Sequence, residues 1–122
     1  MEARYLAIDV STAPPLSLVA RLLARSLQHL RDARGAQSAA ARTRALSRAL
    51  DILGELRRAL DFEAGGEVAR NLDRLYDFAT ERLVLAGVSA NAGEIDQALE
   101  ALTPIAEAFS QLAGASPAEV AE

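Results

Sequence analysis

A chain of 122 residues fits one domain with a real core, and its 51% hydrophobic share lies mainly in alanine and leucine, with aromatics at only 4%. That balance favours helices over strands. The lack of cysteine excludes disulfides and thiolate chemistry, and a net charge of −4 with arginine as the sole strongly basic residue argues against nucleic acid. No secretory signal pattern and no apolar stretch of membrane-spanning length is visible. The expectation is a cytoplasmic protein without membrane insertion.

Residues 1–14 form an apolar N-terminal segment containing Tyr5, Leu6, Ile8 and Val10. It is too short to be a stable helix alone and must dock on something or move. Ser11-Thr12-Ala13-Pro14-Pro15 gives a hydroxyl cap signal followed by prolines. The spacing predicts a first helix over 15–34, with Leu16, Val19, Leu23, Leu27 and Leu30 on its core line. Arg31 and Arg34 suit its C-terminal dipole, and Gly35 stops it.

A second helix is predicted over 39–60, with Leu46, Ala49, Leu50, Leu53, Leu56 and Leu60 inward. Gly54 inside it costs about 1 kcal/mol against alanine. The stretch from Asp61 to Tyr76 then reads as a reversal at Gly65-Gly66, with Glu67 in the first turn of a third helix. That helix is expected over 66–86, with Val68, Leu72, Leu75, Ala79, Leu83 and Ala86 inward, Tyr76 at the edge and Gly87 as its stop.

Asn91 and Glu94 have the spacing of a capping box for a fourth helix, whose core line is Ile95, Ala98, Leu99, Leu102, Ala106 and Phe109. Pro104 is expected to kink it or start a new segment. Short links make the predicted fold an all-α, antiparallel up-down four-helix bundle over 15–113, with an N-terminal capping segment and a flexible tail over 114–122.

The helices carry more apolar residues than one stripe needs. Leu18 and Leu22 lie off the first core line, and Ile52 lies off the second, flanked by Ala45 and Ala59. Phe78 and Leu85 form a separate seam on the third helix with Asn71. Each residue alone reads as a bundle corner covering the core. The same excess on three helices points to grooves for an amphipathic partner segment.

Catalytic chemistry has no comparable candidate. His29 is the single histidine, no lysine accompanies it, and a Glu-x-x-His metal motif is missing because Ser26 stands three residues before it. A phosphotransfer role for His29 is the alternative from an enzyme pathway. Asp61, Glu63 and Glu67 gather near the glycines but read as caps and solvated charges, and no P-loop follows Gly65-Gly66. No enzyme activity, metal or cofactor is expected.

The run Leu60, Asp61, Glu63, Gly65, Gly66, Glu67, Val68, Ala69, Asn71, Leu72, Leu75 and Tyr76 resembles a family pattern, Leu-Asp-x-Glu-x-Gly-Gly-Glu-Ile-Ala-x-Asn-Leu-x-x-Leu-Tyr. The family is that of the flagellin-specific export chaperones, FliS. Tyr5-Leu6, Val10, Thr12-Ala13 with Pro15, Leu46, Arg48-Ala49, Ile52, Glu55-Leu56 and Arg82-Leu83 extend the resemblance. Departures include Leu22-Leu23-Ala24-Arg25-Ser26, where the family usually has Leu-Tyr-Asp-Gly-Ala.

The resemblance implies a chaperone that takes the disordered C-terminal segment of flagellin into apolar grooves and docks at an export gate component. It also implies that the N-terminal segment caps a groove when no client is present. Tyr5, Ile8, Val10, Leu18, Leu22, Ile52, Phe78 and Leu85 are the expected partner-binding residues. A structural helical module burying its spare seams in a homodimer is the remaining alternative.

Overall fold

Four helices fill the computed structural model, which describes residues 15–114: α1 (Leu16–Arg34), α2 (Ala39–Arg58), α3 (Phe62–Ser89) and α4 (Ala92–Leu112). No strand occurs among the described residues. The expected all-α bundle is therefore present. The segment 1–14, with Tyr5, Ile8, Val10 and the Ser11-Thr12 cap signal, lies outside the described residues, as does 115–122.

Each helix end has a local cause. The Pro15 carbonyl accepts from the N–H groups of Leu18 and Val19 at 3.0 and 3.1 Å, so α1 begins without a side-chain cap. Ser38 caps α2, its hydroxyl accepting from the Ala41 N–H at 3.1 Å. The second helix ends at Arg58, ahead of the Leu60 expected.

The glycine pair does interrupt the helical run, but a short stretch of helix precedes it. The Asp61 carboxylate accepts from the N–H groups of Glu63 and Ala64, both at 3.0 Å, and starts α3 at Phe62. Two otherwise unpaired donors are satisfied there, so the helix begins ahead of the glycines. Glu63 lies in the first turn of that short stretch, and Glu67 opens the run that follows the break. Gly66 makes the break, with φ +52 and ψ −125. A Cβ on Gly65 would lie 2.8 Å from the Ala69 Cβ, so the bend also brings backbone close to side chain.

Gly87 does not stop α3. The helix continues to Ser89, and Ala90 takes the left-handed cap at φ 57, donating its N–H to the Ala86 carbonyl. Asn91 caps α4 by accepting from the Gly93 N–H at 2.8 Å. The reciprocal half of the expected capping box is replaced, since Glu94 pairs with Arg82 on α3 at 3.2 Å. Pro104 starts no new segment. It lies on an exposed face inside a single α4, where water can serve the carbonyl that loses its partner.

The helices close into a ring in which α1 packs on α2 and α4, and α3 packs on α2 and α4. Links of two to four residues make sequential neighbours antiparallel. Interhelix ion pairs agree: Arg34 at the end of α1 meets Asp96 at the start of α4, and Arg57 near the end of α2 meets Asp73 and Asp77 near the middle of the long α3.

Most of the expected core line is buried, including Leu23, Leu30, Leu53, Ala79, Leu83, Ile95 and Leu102. Four assignments change. Tyr76 is 1% exposed rather than at the edge, and Ala45 is buried rather than flanking an outer seam. Leu16 and Val68 are exposed, Val68 at 66%. Both belong to helix starts at the same end of the ring, where the apolar line outruns the packing.

Gly66→Ala forces a left-handed φ on a residue with a Cβ, and should lower stability by about 1–2 kcal/mol. Gly87→Ala adds a methyl that meets the Leu46 Cδ1 at 4.0 Å, an ordinary contact, within a regular helix. It should raise stability by up to about 1 kcal/mol. Urea unfolding of the two variants checks both signs.

Candidate partner-binding surface

Where α1 and α3 begin and α2 and α4 end, the ring is not filled. A cavity of about 300 Å³ opens there, walled by Val19 and Leu16 of α1, Leu56 of α2, Leu72 and Tyr76 of α3, and Phe109 of α4. The bent start of α3 supplies its rim through Asp61, Ala64, Gly65 and Val68. The Asp61 cap and the Gly66 bend therefore shape this opening. Pro15, the first described residue, stands beside Leu16 in its wall.

The Tyr76 ring forms part of this wall, and burial pushes its phenol pKa up from 10.0 to about 12. An ionised phenolate loses more solvation in the fold than in the unfolded chain.

The outer faces carry the second group of apolar residues. Phe78 is 42% exposed, and Leu85 lies on the same stripe, also exposed. The Arg82 guanidinium stands 5.5 Å from the Phe78 ring centre and bonds Glu94 and Gln97 of α4. Phe78 and Leu85 thus face outward beside the α3–α4 seam. Leu18 is exposed, while Leu22 and Ile52 are half-buried and pack against the core.

Ring order decides which of these residues share a face. On α3 the Asp73–Asp77 flank meets α2 through Arg57, and the Arg82 flank meets α4. Parallel α1 has its neighbours in the opposite sense around the ring. Its Leu18–Leu22–His29 flank, about 100° from the core line, therefore turns towards α2. The same construction turns Ile52 of antiparallel α2 towards α1. Leu18, Leu22 and Ile52 share the outer α1–α2 seam, whereas Phe78 and Leu85 belong to a different face.

Neither the end cavity nor Val84 and Val88 was among the expected partner-binding residues. Val88 is 82% exposed and Val84 50%. Their spacing of four residues on the outer side of α3 was a readable signal, but the core line alone left them out. Leu16 and Val68 fell on that line, and only the ends of neighbouring helices show that no other described helix covers them.

Ion pairs supply the electrostatic frame. The Asp73 hydrogen bond raises the Arg57 guanidinium pKa above its ordinary value, and the Arg34 hydrogen bond holds the Asp96 carboxyl below the usual range. His29 is half-buried on the α1–α2 flank. The described residues hold no cluster of three or more metal-ligating side chains and no helix long and apolar enough to cross a membrane.

A filled helical core with uncovered apolar faces and an open end defines a helical binding bundle. Comparison with known proteins then gives the particular family. The family described as flagellar protein FliS matches residues 1–116, and the chain belongs to it. It is 40% identical over 92 residues to flagellar secretion chaperone FliSB of Pseudomonas aeruginosa, covering 73% of each chain. It is 31% identical over 107 residues to flagellar secretion chaperone FliS of Vibrio cholerae, covering 85% of this chain and 79% of that one. The chaperone FliS of Salmonella typhimurium is 41% identical over 73 residues, covering 59% and 54% respectively. This is a chaperone family rather than an enzyme family, which sets aside the phosphotransfer alternative for His29.

The raised Tyr76 pKa has a defined pH consequence. Between pH 10 and about 12 the unfolded phenol ionises while the folded one stays protonated. The unfolded chain then binds fewer protons, and stability falls as pH rises through that window. Tyr76→Phe should remove this part of the alkaline loss, measured by urea midpoints across the window.

Proposed function

We propose that this chain is a cytoplasmic export chaperone for flagellin. It holds the disordered C-terminal segment of flagellin as amphipathic helices on its outer apolar seams. Bound in this way the segment cannot take part in premature polymerisation, and the complex is delivered to a component of the flagellar export gate. The single observation that carries this reading is the apolar surface left over once the core is complete: Phe78, Val84, Leu85 and Val88 on one helix are all exposed. Family membership supplies the flagellar secretion context.

Physical chemistry supports a disordered client. Shallow seams take an extended chain that folds as it binds, and the client bears the ordering cost. Part of the gross interaction energy is spent on that ordering, which suits a load that must later be released. The seams are also split between two faces, as a client wrapping around the bundle requires.

The N-terminal segment 1–14 completes the proposal as a cap. It enters the fold at Pro15 beside the end cavity, and Tyr5, Ile8 and Val10 give it the apolar side chains that such a cavity accepts. Without client it covers the end cavity and the apolar wall beside it, which the client reaches as it wraps from the outer seams over that end.

Phe78→Glu and Leu22→Glu should each leave the helical circular dichroism intact and reduce co-purification of a flagellin C-terminal fragment at least about tenfold. A charge on a desolvated apolar contact loses at least that much. A chain lacking residues 1–14 should bind the fragment more tightly than the full chain in calorimetry. Undiminished binding by both glutamate variants would remove the seams from the mechanism.

A further inference from the structure

Charge is divided unevenly between the two halves of the bundle. Residues 16–58, which form α1 and α2, carry nine arginines against three carboxylates, a net of +6. Residues 62–112, which form α3 and α4, carry three arginines against nine carboxylates, a net of −6. The overall charge of −4 hides this division.

The positive half is also the less internally neutralised. Arg70, Arg74 and Arg82 of α3 all stand in ion pairs. Arg21, Arg25 and Arg48 are exposed and make no ion pair or side-chain hydrogen bond among the described residues. Counted back from the turn between α1 and α2, Arg25 is level with Arg48, and Leu22 is level with Ile52. Leu18, Leu22 and Arg25 follow one another at helical spacing along α1, and Arg48 and Ile52 do so on α2. A strip of apolar side chains is thus edged by uncommitted guanidinium groups from both helices.

We propose that the outer α1–α2 seam takes an amphipathic helix whose apolar face is flanked by carboxylates. The apolar strip provides the contact, and the arginine edges select the charge. Like-charged flanks are rejected, and encounter with acidic ones is accelerated. Arginine suits the role because its planar donors pair with carboxylates in two-point geometry. This inference rests on the seams being a client surface and adds the chemistry of the segment that one seam accepts. A nucleic acid would use the cations but leave the apolar strip uncovered. A second copy would have to offer its carboxylate-rich α3–α4 face, and that head-to-tail contact does not close on itself.

The test uses the full chain and two synthetic helical peptides with one apolar face, flanked by glutamate in one and by arginine in the other. Fluorescence anisotropy should show the glutamate-flanked peptide binding at least about tenfold more tightly at low salt, with the gap narrowing as salt is added. Arg21→Glu with Arg25→Glu and Arg48→Glu should abolish or invert the preference. Arg70→Glu with Arg74→Glu, a charge change of the same sign on α3, should leave it in place. If the triple variant loses its helical circular dichroism, Arg25→Gln with Arg48→Gln replaces it, and the preference should then shrink at least about threefold.

Equal binding of both peptides, or a preference that survives neutralisation of the seam, overturns the proposal. So does single-stranded DNA binding as tightly as the glutamate-flanked peptide and unaffected by Leu22→Glu. A sedimentation mass that doubles at low salt, with peptide binding lost in step, overturns it in favour of self-association. The flagellin C-terminal fragment is measured in parallel. If the fragment binds through Leu22 but no charge preference exists, the charge inference falls and the chaperone reading stands. If the preference holds and the fragment does not bind, the seam chemistry stands and flagellin is the wrong client.

Discussion

Close approach of the helices through alanine is the constraint on which the rest of this bundle depends. Nine of the nineteen buried hydrophobic residues among those described are alanines, including Ala49, Ala79, Ala86 and Ala98 with no exposed surface at all. Small side chains at the contacts draw helix axes together. The space between four such helices holds Leu23, Leu27, Leu30, Leu46, Leu53, Leu56, Leu83, Ile95, Leu102 and Tyr76. Phe78, Val84, Leu85 and Val88 are left outside. Burying one fully is worth about 1.5–3 kcal/mol, so the exposed side chains on α3 forgo stabilisation that the other described helices do not supply. That forgone burial is the link between the thin core and the proposed client surface.

The end cavity arises from the same packing combined with local backbone chemistry. The apolar lines of α1 and α3 begin before their neighbours can cover them, leaving Leu16 and Val68 exposed. The Asp61 carboxylate starts α3 early, and the left-handed Gly66 turns that first stretch across the end of the bundle. Residues that resemble a family signature thus build the rim of an opening. Their work is structural, but it leaves the end of the bundle unfilled.

Much of the fold was readable because hydrophobic period and cap chemistry agree over most of the chain. Leu23, Leu27 and Leu30 on α1 and Leu46, Leu53 and Leu56 on α2 fall on the expected line and are buried. The errors have two physical sources. At Gly65-Gly66 the helix breaks as the glycines suggest, but the Asp61 carboxylate four residues earlier adds a short helical stretch ahead of the break. Tyr76 sits on the shoulder of its stripe, and a single helix's period cannot say which shoulder meets a neighbour. The division of Leu18, Leu22 and Ile52 from Phe78 and Leu85 needed the order of helices around the ring. That order belongs to the assembled bundle and to no one helix.

The charge division explains why that order is kept. An α1–α2 hairpin carrying +6 repels its own kind and attracts an α3–α4 hairpin carrying −6. The contacts of Arg57 with Asp73 and Asp77 cross one boundary between the halves, and that of Arg34 with Asp96 crosses the other. These partners are substantially exposed to solvent, so each pair adds little stability by itself. Their effect lies in discrimination, since swapping the hairpins or pairing like halves would place arginine against arginine. Only part of the positive charge is used in this way, and Arg21, Arg25 and Arg48 have no ion-pair partner among the described residues. The asymmetry that orders the hairpins inside the bundle therefore leaves a basic edge along the apolar strip outside it.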